Sequence, residues 1–150
     1  MTSRAAVEEF LSQTTLAIAG VSRNEKKFGS VVMKSLKAKG YRMLPIHPEA
    51  SELEGERCYR SIGDLPETPG GLVLVVHPEQ TELLVKEAHE AGIRRIWMQT
   101  GAESDRAIAY CRERGIESIH HECILMFAEP AEFFHRAHRF INKLTGKLPK

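Results

Sequence analysis

From Leu16 to Pro48 the chain reads LAIAGVSRNEKKFGSVVMKSLKAKGYRMLPIHP, an order that leaves few folds open. A short apolar run ends at Gly20, a polar basic loop follows, an amphipathic helical pattern stops at Gly40, and a second apolar run ends at His47-Pro48. Two short strands joined through a helix lie parallel, with a right-handed crossover. The first turn of such a helix has unpaired N–H groups and carries the positive end of the helix dipole. An anionic phosphate suits that place, so the pattern predicts a phosphate-bearing ligand at the sheet edge.

A glycine directly after the strand lets the chain turn sharply and lets a ligand approach without meeting a Cβ, while Ser22, Arg23, Lys26 and Lys27 offer hydroxyl and cationic donors. An ordinary βα turn with a solvated basic loop has the same look, and the other loops must decide. A dinucleotide site normally shows G-x-G-x-x-G here, but Gly20, Ser22 and Glu25 stand where the three glycines belong. Such a site also wants a carboxylate at the end of the second strand, whereas Pro45-Ile46-His47-Pro48 supplies none and Glu49 lies beyond the proline. The phosphate-cradling pattern G-x-x-x-x-G-K-[ST] is absent as well. An NAD(P)-binding domain stays as an alternative within the nucleotide class.

At 150 residues with 42% hydrophobic content, the chain suits one domain over residues 1–150. A formal net charge of +1 with 27% charged residues favours neither nucleic acid nor an anionic membrane as a partner. No apolar stretch approaches the roughly 20 residues that span a bilayer, and the opening MTSRAAVEEFLSQ is too acidic for a signal peptide. Cys58, Cys111 and Cys123 are an odd number at wide spacings, unlike a disulfide framework or a C-x-x-C metal knuckle. A reducing, cytoplasmic setting is expected.

Along the chain, Val7, Phe10 and Leu11 at helical spacing predict a helix within Ser3 to Gln13, ahead of a first strand over Leu16 to Ala19. The next helix is expected to pack Val32, Leu36 and Phe28, and a second strand runs from Met43 to Ile46. Residues 49–71 read as loop, with Arg57 to Tyr59 a candidate edge strand. Leu72 to Val76 is a continuous apolar run, as a parallel strand buried on both faces requires. Thereafter a helix (Thr81 to Ala91), a strand (Arg95 to Gln99), a helix (Ser104 to Arg114), a strand (Glu117 to His120) and a final helix (Ala131 to Leu144) are predicted. The expected class is α/β: a single Rossmann-like domain, a mainly parallel five-stranded sheet with helices on both faces. With the edge strand included, the order is 3-2-1-4-5, so strands one and four flank the switch point where ligands of such sheets bind. Gly20-Val21-Ser22, His47-Pro48, His77-Pro78, Gln99-Thr100-Gly101 and Cys123 then share one rim.

These motifs resemble the CoA-binding domain family, specifically the small stand-alone CoA-binding proteins similar to the amino-terminal domain of the succinyl-CoA synthetase α subunit. The resemblance runs from about Val7 to Phe127 and rests on the βαβ stretch together with GERCYRSIGDLP, VLVVHPEQT, IWMQTG and the cysteine of HHECILM. It implies coenzyme A as ligand, with phosphates near Gly20, Val21, Ser22, Arg23, Lys26, Lys27, Phe28 and Gly29. It further implies adenine beside His47, Pro48, His77 and Pro78, the pantetheine arm past Gln99, Thr100 and Gly101, and the thiol end at Cys123. His47, where relatives commonly carry Asn, and the pair His121-Glu122 depart from the family pattern. The synthetase's phosphohistidine domain has no counterpart here, so ligase activity is not expected to carry over.

The expected function is therefore binding of CoA or an acyl-CoA without catalysis, with no catalytic residue assigned and a second copy or a partner enzyme as neighbours. One alternative is a thiol-dependent enzyme or redox protein that uses Cys123 with CoA. A metal site is not assigned: Glu132, His135 and His138 give one Glu-x-x-His where carboxylate-bridged bundle sites need two, and although His47, His77, His120 and His121 could gather at the rim, single histidines usually meet solvent.

Overall fold

The computed structural model describes residues 4–24 and 26–127. Helix α1 (Arg4–Leu11) leads into β1 (Thr15–Ala19), α2 (Phe28–Ala38) and β2 (Arg42–Ile46), which realise the βαβ unit. A two-stranded hairpin of β3 (Glu52–Leu53) and β4 (Glu56–Arg57) and a 3-10 turn over Ile62–Asp64 follow. Then come β5 (Gly71–Leu74), α3 (Pro78–Glu90), β6 (Arg95–Met98), α4 (Asp105–Arg114), β7 (Glu117–Ile119) and a 3-10 turn over Ile124–Met126.

The main sheet has five parallel strands in the order β2-β1-β5-β6-β7. The chain enters at β1, steps outward to β2, then crosses back to lay β5 on the other side of β1. The direction of winding thus reverses between β1 and β5, and the crevice opens beyond their carboxyl ends.

Alternation along the strands divides the core in two. Leu16 and Ile18 join Phe10, Val32, Met33 and Leu36 of α1 and α2 on one face, while Ala17, Leu72 and Leu74 meet Val85 of α3 and Cys111 of α4 on the other. Trp97, fully buried, stands edge-on between Phe10 and Phe127, with ring centroids at 5.3 and 5.7 Å. Its Nε1–H donates to the Glu122 carbonyl at 3.0 Å, which ties the end of the described chain to the sheet.

The expected edge strand is corrected. Arg57 pairs within the small hairpin, and only Tyr59 touches the main sheet, through one parallel bridge to Ile46. Pro45 lies inside β2 and cannot donate to an outer neighbour, which suits an edge position. Phe28, expected among the packed residues, is 45% exposed: in the first turn of α2 it is Gly29 and Ser30 that face inward. Helix α3 starts at Pro78 rather than Thr81, since proline at the first helical position costs no hydrogen bond. β5 stops at Leu74 rather than Val76. The expected helix over Ala131 to Leu144 lies outside the described residues.

Candidate functional site

At the switch point three backbones touch. Val75 N–H donates to the Ala19 carbonyl at 2.9 Å, and the chain then turns at Gly20 with φ +109°. A Cβ on Gly20 collides with the Val75 carbonyl, and one on Gly29 collides with the Gly20 carbonyl. Sequence reasoning reserved the space left by Gly20 for a ligand; protein backbone fills it.

The basic loop is held from within. Ser30, fully buried in the first turn of α2, donates from Oγ to the Ser22 carbonyl at 2.9 Å. Ser22 Oγ accepts the Asn24 N–H at 3.0 Å, and Asn24 Oδ1 accepts the Lys26 N–H at 2.9 Å. These local bonds shape the loop. Lys27 occupies the cap position of α2 with extended backbone and makes no side-chain cap. Ser30 and Val31 donate back to the Lys27 carbonyl, at 3.1 and 3.2 Å, whereas no bond takes up the N–H groups of Phe28 and Gly29 among the described residues. A helix start without a side-chain cap, with Arg23, Lys26 and Lys27 close in sequence, makes a place for an anion.

A second wall rises from the end of β2. His47 N–H donates to the Tyr59 carbonyl and Tyr59 N–H to the Pro45 carbonyl, both at 2.9 Å. His47 Nδ1 in turn accepts from the N–H groups of Glu49 and Ala50, at 3.0 and 2.9 Å, so the ring braces its own loop. The third wall is one stripe of α3: His77, Gln80, Leu84 and Glu87, spaced as successive turns on one helical face. Between the walls lies a crevice of about 520 Å³, within the range of about 300–1,000 Å³ usual for small-molecule sites.

Five of the residues singled out from sequence line this crevice: Gly20, Val21, His47, Pro48 and His77. Ser22, Arg23 and Lys26 to Gly29 stand in the adjoining loop and helix start, and Pro78 opens α3. Gln99, Thr100 and Gly101 follow β6. The Gln99 side chain is buried, donating from Nε2 to Cys123 Sγ at 3.3 Å and accepting the Ile124 N–H on Oε1 at 2.6 Å. Thr100 is exposed, and the Gly101 N–H donates to Glu103 at 2.5 Å. Sequence reasoning missed Arg60, Ser61 and, on the α3 stripe, Gln80, Leu84 and Glu87. The stripe had a legible signal in its helical spacing, but a helix start placed at Thr81 left Gln80 outside the helix and His77 unconnected to Leu84 and Glu87.

Burial pushes the Cys58 thiol up, with the Glu52 carboxylate acting the same way and Arg23 opposing. Burial lowers the His120 imidazole, and His121, its ring 5.1 Å away, adds to this. Among the described residues no cluster of His, Cys, Asp and Glu is arranged to hold a metal ion, and Glu132, His135 and His138 lie outside them. No described helix is long and apolar enough to cross a membrane.

A parallel sheet wound both ways from a switch point, with helices on both faces, defines a Rossmann-like α/β domain. The chain belongs to the CoA binding domain family, whose profile matches residues 14–129. A conserved hypothetical protein of Pyrococcus furiosus has the same fold, with a TM-score of 0.71 and 38% identity, over 74% of this chain and 96% of that one. The uncharacterized protein YneT of Bacillus subtilis is 26% identical over 124 residues, 81% of this chain and 91% of its own. An ADP-forming acetate–CoA ligase of Methanocaldococcus jannaschii is 31% identical over 80 residues, 53% of this chain but only 11% of the ligase. The α subunit of an ADP-forming acetate–CoA ligase of Pyrococcus furiosus is likewise matched over 23% of its length.

Proposed function

We propose that the chain, as a single domain over residues 1–150, binds coenzyme A or an acyl-CoA at the carboxyl edge of its sheet, without chemistry of its own. The observation that carries this reading, beside the family membership, is the uncapped start of α2 next to the switch-point crevice. In this reading the pyrophosphate lies on the Phe28 and Gly29 N–H groups, with Ser22, Arg23, Lys26 and Lys27 around it. The nucleoside enters the crevice between His47-Pro48 and the α3 stripe, and the pantetheine arm runs past Thr100 and Gly101 toward Cys123. Binding without catalysis is supported by where the polar side chains of this rim are spent. Gln99 is engaged by Cys123 and Ile124, Gln80 by His77 and Ser61 by Asp64, so they hold shape.

One observation supports a second reading. The Gln99 amide aims at the sulfur of Cys123, which is partly exposed, and this suits a thiol that reacts with CoA. Exposure to CoA disulfide followed by intact mass decides it: a CoA adduct absent from Cys123→Ser supports the reaction, and an unmodified wild type rules it out. The matching segments of the acetate–CoA ligases sit within longer chains, which supports a partner enzyme or a second copy as neighbour. Three free cysteines accord with a reducing, cytoplasmic setting.

The test of the main reading is calorimetric titration with CoA, dephospho-CoA, ADP and NAD in parallel. CoA is expected to bind and NAD to stay silent, with CoA weakened by Lys26→Glu/Lys27→Glu. NAD binding with CoA silent would overturn the reading.

A further inference from the structure

The residue after Tyr59 is placed by the main sheet. The peptide that joins Tyr59 to Arg60 is the one whose carbonyl takes the His47 N–H at 2.9 Å, so Arg60 starts one peptide unit from the end of β2. Tyr59 packs on the α3 side of the core beside Ile46, and Arg57 lies over its ring at 5.6 Å. Arg60 lines the crevice and is exposed, with no hydrogen bond or ion pair to any described side chain. It is the only Lys or Arg on that lining; the one carboxylate, Glu87, stands on the α3 wall.

In doubly wound nucleotide-binding sheets the adenosine ribose lies at the end of the second strand, where a carboxylate selects free hydroxyls and an arginine accommodates a ribose phosphate. Here β2 ends at Ile46 with His47-Pro48 behind it, and Glu49, absent from the crevice, lines a neighbouring hollow with Cys58 and Asp64 that Arg60 also borders. The charge presented to the ribose is thus positive. We infer that Arg60 reads a phosphate monoester on the adenosine ribose, making the crevice selective for ligands that carry one. This rests on the CoA reading above, under which the group is the 3′-phosphate; NADP, with a 2′-phosphate, is the other source of the same chemistry. The guanidinium meets a dianion with two parallel N–H groups, a geometry lysine cannot reproduce.

The experiment measures affinities of wild type, Arg60→Gln and Arg60→Lys for CoA, dephospho-CoA, NADP and NAD. Wild type is expected to prefer CoA over dephospho-CoA by about 10- to 100-fold, the range of a charge-assisted hydrogen bond. Arg60→Gln should bring the two affinities together by weakening CoA alone, and Arg60→Lys should keep part of the preference. An unchanged ratio in Arg60→Gln, with CoA still bound, overturns the role of Arg60 and leaves the CoA reading standing. Preference for NADP over NAD that collapses in Arg60→Gln, with CoA silent, overturns the CoA reading and upholds the ribose phosphate. Silence of all four ligands on wild type overturns both. Matching thermal midpoints for the three proteins are expected, since Arg60 is exposed, and show that the comparison is one of binding.

Discussion

Gln99 and Cys123 are joined through the side-chain amide: Nε2 donates to Sγ at 3.3 Å while Oε1 takes the Ile124 N–H at 2.6 Å. One buried carboxamide at the end of β6 thus fixes both the sulfur and the turn that follows it. Leaving the Ile124 N–H without its acceptor costs about 1–3 kcal/mol, so Gln99→Leu is expected to lose that much in urea denaturation. In wild type, iodoacetamide labelling followed by peptide mass should mark Cys123 before Cys58, whose thiol is pushed up, and Cys111 last.

The glycines at the sheet rim separate by what surrounds them. Gly20 has φ +109° and backbone against it, whereas Gly101 has φ +99° with nothing within 4 Å of an added Cβ. Gly20→Ala therefore combines backbone strain with overpacking, a loss of at least about 2 kcal/mol. Gly101→Ala carries the strain alone, about 1 kcal/mol. Urea unfolding followed through Trp97, the single tryptophan, measures both.

Ser30 acts through the shape of the basic loop. Its buried Oγ holds the Ser22 carbonyl at 2.9 Å, and Ser30→Ala strands that carbonyl. The expected cost is about 1–2 kcal/mol, together with a several-fold weaker CoA affinity as the loop loses its shape. Titration calorimetry beside a denaturation curve separates the two effects. Unchanged affinity would mean that the loop keeps its form without this bond.

Alkaline pH should unfold the protein in a defined window. Cys111, fully buried, has its thiol pushed up to about 11, and burial also raises the Tyr41 phenol, which donates to the Leu11 carbonyl at 2.6 Å. Both groups bind their proton more tightly folded than unfolded. Their contribution is complete below the unfolded values of about 8.5 for Cys and about 10 for Tyr, and is lost as pH rises through the folded values. Thermal midpoints should stay level to about pH 8.5 and then fall. In Cys111→Ala the fall between about pH 8.5 and 10 should be shallower, since the raised Cys58 thiol and the Tyr41 phenol remain.

The strand and helix alternation was readable because apolar period and glycine stops are local signals: β1, β2, β6 and β7 fall within about a residue of their expected bounds. Tyr59 was not, since a single bridge to Ile46 depends on a partner in space and leaves no periodic trace. Arg60 was hidden for the same reason, as nothing in its neighbourhood of sequence says that it stands beside His47. Phe28 misled in the opposite sense, because an aromatic at helical spacing reads as core even where Gly29 and Ser30 are the residues turned inward. Gly20 was picked out for its freedom to admit a ligand, and the demand on it comes from Val75 and Gly29.

The contact of Val75, Gly20 and Gly29 also bears on how such a chain can change over generations. A descendant that no longer met its ligand would still have to keep both glycines, because architecture alone requires them. Arg60, exposed and without a partner among the described residues, would be released at once. Among relatives, the persistence of the glycine pair therefore records ancestry of the fold, while the record of the ligand is kept at the position after Tyr59.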